Sequence, residues 1–255
     1  MTTKIPQRHS GSVLAIIPAW NEASIIGRTI SEVFAAEPDT AVVVVDDGST
    51  DRTVQIAAQS GAEVLQLPFN MGVGAAMRTG FLYAQREGYD YVVQVDADGQ
   101  HDPANIPLLI EVLKRGEADI VIGSRFAEDR GYPISGPRKW AISMLSFVLT
   151  RISGVRLTDV TSGFRAANRR AVEQYLRHYP NEYLGDTVDS LVVAVKRGYR
   201  VAEVPVTMRT RQGGVPSHSP IRSALFLVRS FLVVVIALTT RTKKQPKTEV
   251  DNGHR

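Results

Sequence analysis

The 255-residue chain reads as an α/β protein with a mostly parallel central sheet and helices on both faces. Three observations lead there. Short runs rich in Val and Ile alternate with longer amphipathic segments. The runs are continuously apolar rather than alternating, as strands covered on both faces require. A composition of 44% hydrophobic and 22% charged residues supplies one sizeable core and excludes a disordered, collagen-like or coiled-coil chain.

Strands are expected at residues 13–17, 41–45, 63–66, 91–95 and 119–122, with helical patterns between the first four and after them. The segment 51–60 has helix punctuation, with Thr50 as N-cap and Gly61 just beyond the end. Past Gly123 the alternation stops. An unusually apolar helix follows at 140–152, then the motif TSGFRAA, two helical patterns and a strand at 201–206. The last apolar segment, 224–238, would span only ~22 Å as a helix, against the ~30 Å of a bilayer core. Arg222 and Arg229 share one narrow stripe with Ser223 and Ser230, and Arg241, Lys243 and Lys244 follow. That pattern suits a helix lying on a membrane surface. A buried core helix and docking on an integral-membrane partner are the alternatives. The organisation read from this is a flexible N-terminus at 1–12, a catalytic domain at 13–217, a membrane-associated apolar helix at 218–240 and a disordered basic tail at 241–255.

The absence of cysteine excludes a disulfide framework, a thiolate metal site and a cysteine nucleophile. Most of the formal charge of +4 sits in the tail from Arg241, which leaves the body near neutral. A nucleic-acid binder needs a broad basic face, so no nucleic-acid partner is expected. The first twelve residues lack an apolar run, which predicts a protein that stays on the cytoplasmic side.

In open parallel sheets, ligands bind outside the carboxyl ends of the strands. Here those ends carry PAWNE (18–22), DDGSTD (46–51), DADGQHD (96–102) and GSRF (123–126). DDGSTD is a turn and helix cap or, because two adjacent carboxylates exceed what capping needs, an acceptor for a base N–H or ribose hydroxyl, with Asp47 in that role. Asp96 and Asp98 stand two apart, so on extended chain both would leave one face roughly 7 Å apart. Such a pair, with Gln100 adding an oxygen, suits Mg2+ or Mn2+ carrying a diphosphate; His101 is a further ligand or a loop residue. The stretch 70–80 invites a dinucleotide reading through Gly72 and Gly74, but Met77 occupies the third glycine position and the reading fails. Arg125, Arg165, Arg209 and Arg211 lie in loops near strand ends, where guanidinium forks suit phosphate.

Taken in order, PAWNE, DDGSTD, the Asn70/Gly72/Gly74 loop, DADGQH, GSRF, TSGFRA and the late Arg211-x-x-Gly214 resemble family 2 glycosyltransferases. Closer still is the polyprenol-phosphate sugar synthase branch, which includes the dolichol-phosphate mannose synthases. The resemblance covers about four fifths of the chain. It implies a GT-A fold, a UDP- or GDP-linked sugar donor, a polyprenyl phosphate acceptor and inversion at the anomeric carbon. It further implies that Pro18, Glu22 and Asp47 hold the nucleoside, that Asp46, Asn70 and Gly72 are among the substrate contacts, that Asp96 contacts nucleotide or metal, and that Asp98 and Gln100 bind the ion. Asp98, Arg125 and Arg211 would carry catalysis, with Ser124 and Arg165 among the substrate contacts. The final loop departs from the family pattern, since Gly214 is followed by Val215 and Pro216 rather than Ser-Lys or Ser-Ser. Transfer to a sugar hydroxyl would need a base, for which Asp159, Asp186 and Asp189 are candidates; a lipid phosphate is already anionic and needs none. A silent nucleotide-binding scaffold is the non-enzymatic alternative. The expected location is peripheral, at the cytoplasmic face of a membrane.

Overall fold

The structure is a computed structural model that describes residues 11–126, 137–178 and 186–209. Among the described residues seven strands, β1 (Val13–Ala19), β2 (Ala41–Asp46), β3 (Glu63–Gln66), β4 (Tyr91–Gln94), β5 (Ile120–Ser124), β6 (Arg165–Asn168) and β7 (Val201–Pro205), form one sheet in the order β3-β2-β1-β4-β6-β5-β7. Neighbouring strands pair in parallel, except β6, which runs antiparallel to both β4 and β5. The helices are α1 (Ile26–Ala36), α2 (Thr53–Gln59), α3 (Val73–Glu87), α4 (Ile106–Lys114), α5 (Pro137–Ser153), α6 (Arg169–His178) and α7 (Asp186–Lys196).

Both faces of the sheet are covered, which is why its central strands are apolar at nearly every position. On one face Ile16, Val43 and Val45 pack with Met77 and Phe81 of α3, Tyr175 of α6, Leu191 of α7 and Leu145 of α5. On the other, Ile17, Val44 and Val93 meet Ile26 and Ile30 of α1 and Leu109 and Ile110 of α4. The tightest approach is between α3 and β1: a β-carbon on Gly80 would stand 2.4 Å from Ile16 Cγ2. Pro18 lies in a central strand, where a missing N–H would normally break a ladder. It is accommodated because pairing of β1 with β4 stops at Ile16 and Gln94, before Pro18 is reached.

The expected strands are all present, with ends displaced by a residue or two. The helix expected at 140–152 is α5, with Ile142, Leu145 and Leu149 buried and Phe147 67% exposed. One expectation is corrected. Thr50 does not cap α2; Asp51 does the work, accepting from the Thr53 N–H at 2.9 Å. Hydrogen bonds from Thr53 and Ala23 outweigh the effect of burial and hold the Asp51 carboxyl below its usual range. The segment 165–168 is a strand that the sequence did not announce, since Arg-Ala-Ala-Asn has little β-propensity. No helix among the described residues is long and apolar enough to cross a membrane. The helix expected at 218–240, the basic tail, the N-terminal segment 1–10 and Arg211 lie outside the described residues.

Candidate active site

The carboxyl ends of β1, β2, β3, β4 and β5 lie along one edge, and because β6 is antiparallel its amino end opens onto the same edge. TSGF, which leads into β6, therefore joins the motifs that follow the parallel strands.

The loops after β1 and β2 are laced together by side chains. Asn21 N–H donates to Ser49 Oγ at 2.8 Å, and Asn21 Oδ1 accepts from Thr50 N–H at 2.9 Å. Glu22 N–H donates to Thr53 Oγ1 at 2.9 Å, and Ala23 N–H to Asp51 Oδ2 at 3.1 Å. Asn21 holds φ +54°, a left-handed conformation that Asn tolerates better than most residues. Sequence reasoning passed over Asn21 and Ser49; a polar residue able to adopt this conformation between strand and helix was the available signal.

Asp46 and Asp47 are both buried, yet they differ in what they do. Asp47 Oδ1 accepts from Met71 N–H at 2.7 Å and Oδ2 from Gly72 N–H at 2.8 Å. With its amide oriented to suit both neighbours, Asn70 donates to Asp47 Oδ2 at 3.3 Å and accepts from Trp20 Nε1 at 3.2 Å. Burial pushes the Asp47 carboxyl up, partly offset by the two backbone donors, and the adjacent Asp46 adds to the rise. Asp47 thus clamps the loop that starts α3. Asp46 Oδ2 accepts from Ser49 N–H at 3.1 Å, while Oδ1 is buried with no hydrogen-bond partner among the described residues. Buried carboxylate oxygens are normally satisfied, so Asp46 is the better placed of the two to accept from a ligand N–H or hydroxyl. Gly48 makes this packing feasible: at φ +74°, a β-carbon would stand 2.7 Å from the Phe69 carbonyl carbon.

The chain is not extended at Asp96 and Asp98. β4 ends at Gln94 and residues 97–98 form a turn, so the same-face geometry expected for an extended pair is replaced by a turn. Within it Asp98 Oδ1 accepts from Gln100 N–H at 3.0 Å. Asp96 Oδ1 accepts from Gln94 Nε2 at 3.1 Å, and its side chain is 38% exposed. His101 is not placed as a ligand: its ring is buried, stacked on Phe164 at 4.9 Å, and Nδ1 accepts from Asp96 N–H at 3.0 Å. That bond leaves Nε2 to carry the proton of the neutral ring, 3.5 Å from Asp96 Oδ2. Among the described residues no three Asp, Glu or His side chains converge to hold an ion unaided. Asp96 and Asp98 are nonetheless hard oxygen donors of the type that Mg2+ and Mn2+ take together with water and phosphate oxygens. The electrostatics agree, since four aspartates along one edge would repel a diphosphate unless a cation bridged them.

On the far side of the edge, Arg125 follows β5. Its Nε donates to Asp159 Oδ2 at 2.6 Å and its Nη2 to Asp159 Oδ1 at 2.8 Å, a bidentate pair in which Asp159 is fully buried. Thr161 Oγ1 lies 3.2 Å from Arg125 Nη2, and the Ser124 hydroxyl is 2.8 Å from that of Thr158. Arg165 turns inward, donating to the Ser162 carbonyl at 2.8 Å and the Val160 carbonyl at 2.6 Å, so it shapes the loop before β6. Arg209 pairs with Glu32 and, at 2.8 Å, with Asp102, so it ties the last described segment to α1 and the 96–102 turn. Asp189 is buried on α7.

The mostly parallel seven-stranded sheet with one antiparallel strand and helices on both faces is a GT-A fold, and the protein is a glycosyltransferase. The chain belongs to glycosyl transferase family 2, whose profile matches residues 14–176. It is 33% identical to polyprenol monophosphomannose synthase of Mycolicibacterium smegmatis, with 87% of each chain covered. It is 36% identical to undecaprenyl-phosphate mannosyltransferase of Micrococcus luteus, covering 79% of this chain and 85% of that one. Among solved structures it resembles glucosyl-3-phosphoglycerate synthase from Mycobacterium tuberculosis in complex with Mn2+, uridine diphosphate and glucosyl-3-phosphoglycerate. That match has a TM-score of 0.68 at 20% identity, over 89% of this chain and 79% of that one, a likeness of fold.

Proposed function

We propose that the protein transfers one hexose from a nucleotide-diphosphate sugar to a polyprenyl phosphate at a membrane surface, with inversion at the anomeric carbon. The observation that carries this reading is the bidentate pair of Arg125 with Asp159. A hydroxyl acceptor needs a carboxylate to take its proton, and the carboxylate nearest Arg125 is instead spent orienting a guanidinium. That arrangement suits an acceptor that arrives anionic. The two mannosyltransferase relatives, named for polyprenol and undecaprenyl phosphate acceptors, support the same acceptor class.

In this reading Asp46 accepts from the nucleoside, and Asp47 holds the 70–72 loop against it. Asp96 and Asp98, with Gln100 as a third oxygen donor, would hold Mg2+ or Mn2+, and the ion would offset charge growing on the leaving diphosphate. Arg125 orients the acceptor phosphate for attack from the face opposite the leaving group. Arg211 is assigned to the same anions from the family pattern alone.

Membranes expressing the protein, given radiolabelled UDP- and GDP-sugars and polyprenyl phosphate, should yield an alkali-stable, mild-acid-labile lipid. EDTA should abolish the product, and Asp98→Ala should reduce it by about 100-fold or more. Donor hydrolysis with no labelled lipid, or label in a sugar hydroxyl product, would overturn the acceptor assignment.

A further inference from the structure

Arg125 is held by Asp159, and Asp159 is itself held from behind. Glu203, in the middle of β7, accepts from Thr158 N–H at 2.7 Å and Thr158 Oγ1 at 2.9 Å through Oε2. Through Oε1 it accepts from Asp159 N–H at 2.7 Å. One carboxylate therefore gathers three donors from a two-residue turn. The turn has no regular secondary structure of its own, lying between α5 and β6. Its hydroxyl continues to Ser124 Oγ at 2.8 Å, and Ser124 Oγ accepts from Phe126 N–H at 3.1 Å, so the residues flanking Arg125 are tied to the same turn. Arg125 N–H also donates to Asp159 Oδ2, at 3.2 Å.

Placing Glu203 beside buried Asp159 is electrostatically costly, because a second carboxylate then stands near the first. A turn needing only backbone satisfaction could be served by a neutral acceptor. We propose that Glu203 is a positioning residue, acting through Asp159 to fix the orientation of Arg125 toward the acceptor phosphate. The inference rests on the reading of Arg125 given above. It adds a residue on an edge strand, outside every motif that the sequence displays, to the machinery of transfer. Pre-set orientation matters because a guanidinium displaced by about 1 Å costs about 100-fold in rate.

The test is a double-mutant cycle on kcat/KM for lipid phosphate, using the full chain in membranes. Arg125→Ala should lower kcat/KM by about 100-fold. Glu203→Gln places an amide NH2 against a backbone donor and should lower it by about 10-fold, through kcat and KM for the lipid phosphate with KM for the nucleotide sugar unchanged. In the Arg125→Ala background, Glu203→Gln should cost less than about twofold, because the group it positions is gone. Glu203→Asp keeps both charged acceptors and should retain more activity than Gln; should the Gln variant fail to fold, the cycle is run with Asp. A repeated tenfold loss in the Arg125→Ala background, or a rise in KM for both substrates, overturns the positioning role while leaving Arg125's own role intact. A silent Arg125→Ala overturns the reading of Arg125 and this inference with it.

Discussion

Asp46 and Asp47 stand side by side, yet one ties down a loop through two backbone donors and the other keeps a buried oxygen without a partner. Which neighbour takes which role depends on where the chain at 70–72 passes, and that is set in three dimensions. The same holds for the arginines. Sequence placed Arg125, Arg165 and Arg209 near strand ends, whereas the structure spends Arg165 on carbonyls and Arg209 on Glu32 and Asp102. At this scale Glu203 also makes a pH prediction. Burial raises its carboxyl above the ordinary 4.5, offset in part by its Thr158 and Asp159 donors, while the Asp159 charge adds to the rise. The folded state therefore holds a proton that the unfolded state has released, so stability falls as pH rises from 4.5 through the raised value and levels off above it. Thermal unfolding of wild type and Glu203→Gln from acid to neutral pH should show the variant gaining relative to wild type across that window. Parallel curves would mean Glu203 titrates normally.

The order of strands and helices was legible up to Gly123 because buried parallel strands announce themselves as Val/Ile runs, and each is followed by an amphipathic helix. The half beyond was less legible. β6 is short and alanine-rich, and its value lies in filling the gap between β4 and β5 rather than in any propensity of its own. Without it TSGFR could be named as a motif but not placed on the edge. Contact between elements also explains a residue that composition would pass over: Gly80 lets α3 seat on β1. Gly80→Ala should cost about 1–3 kcal/mol, and Ile16→Ala alone about 2–5 kcal/mol. Because the second removes the methyl that the first would strike, the double variant should lose less than the sum in chemical denaturation. Full additivity would show that α3 simply rides outward.

Across the whole molecule the edge is divided by chemistry. Aspartates gather after β2 and β4, and the Arg125 assembly gathers after β5 and between α5 and β6. Such a division suits a reaction with a metal-borne donor and an anionic acceptor meeting at one sheet. The segment 218–255, read from sequence as a surface helix and basic tail, would bring the enzyme to its lipid. Removing it should lower transfer to long-chain polyprenyl phosphate in anionic vesicles by about 100-fold, because the local concentration gained by tethering is lost. Transfer to a short, water-soluble prenyl phosphate should be unchanged. An equal loss on both acceptors would make the segment part of the catalytic body instead.

β6 also bears on how the chain is made. β4 and β5 emerge from the ribosome well before residues 165–168, and neither pairs with the other in the finished sheet. Until β6 arrives, β4 has an open edge and β5, whose partners β6 and β7 both come later in the chain, has no partner, and unpaired strands of this kind recruit foreign strands. A late, four-residue insertion then pairs with both at once and seats TSGF at the edge. A chain truncated before Asn168 should therefore aggregate more readily on refolding than the full chain, which light scattering would check.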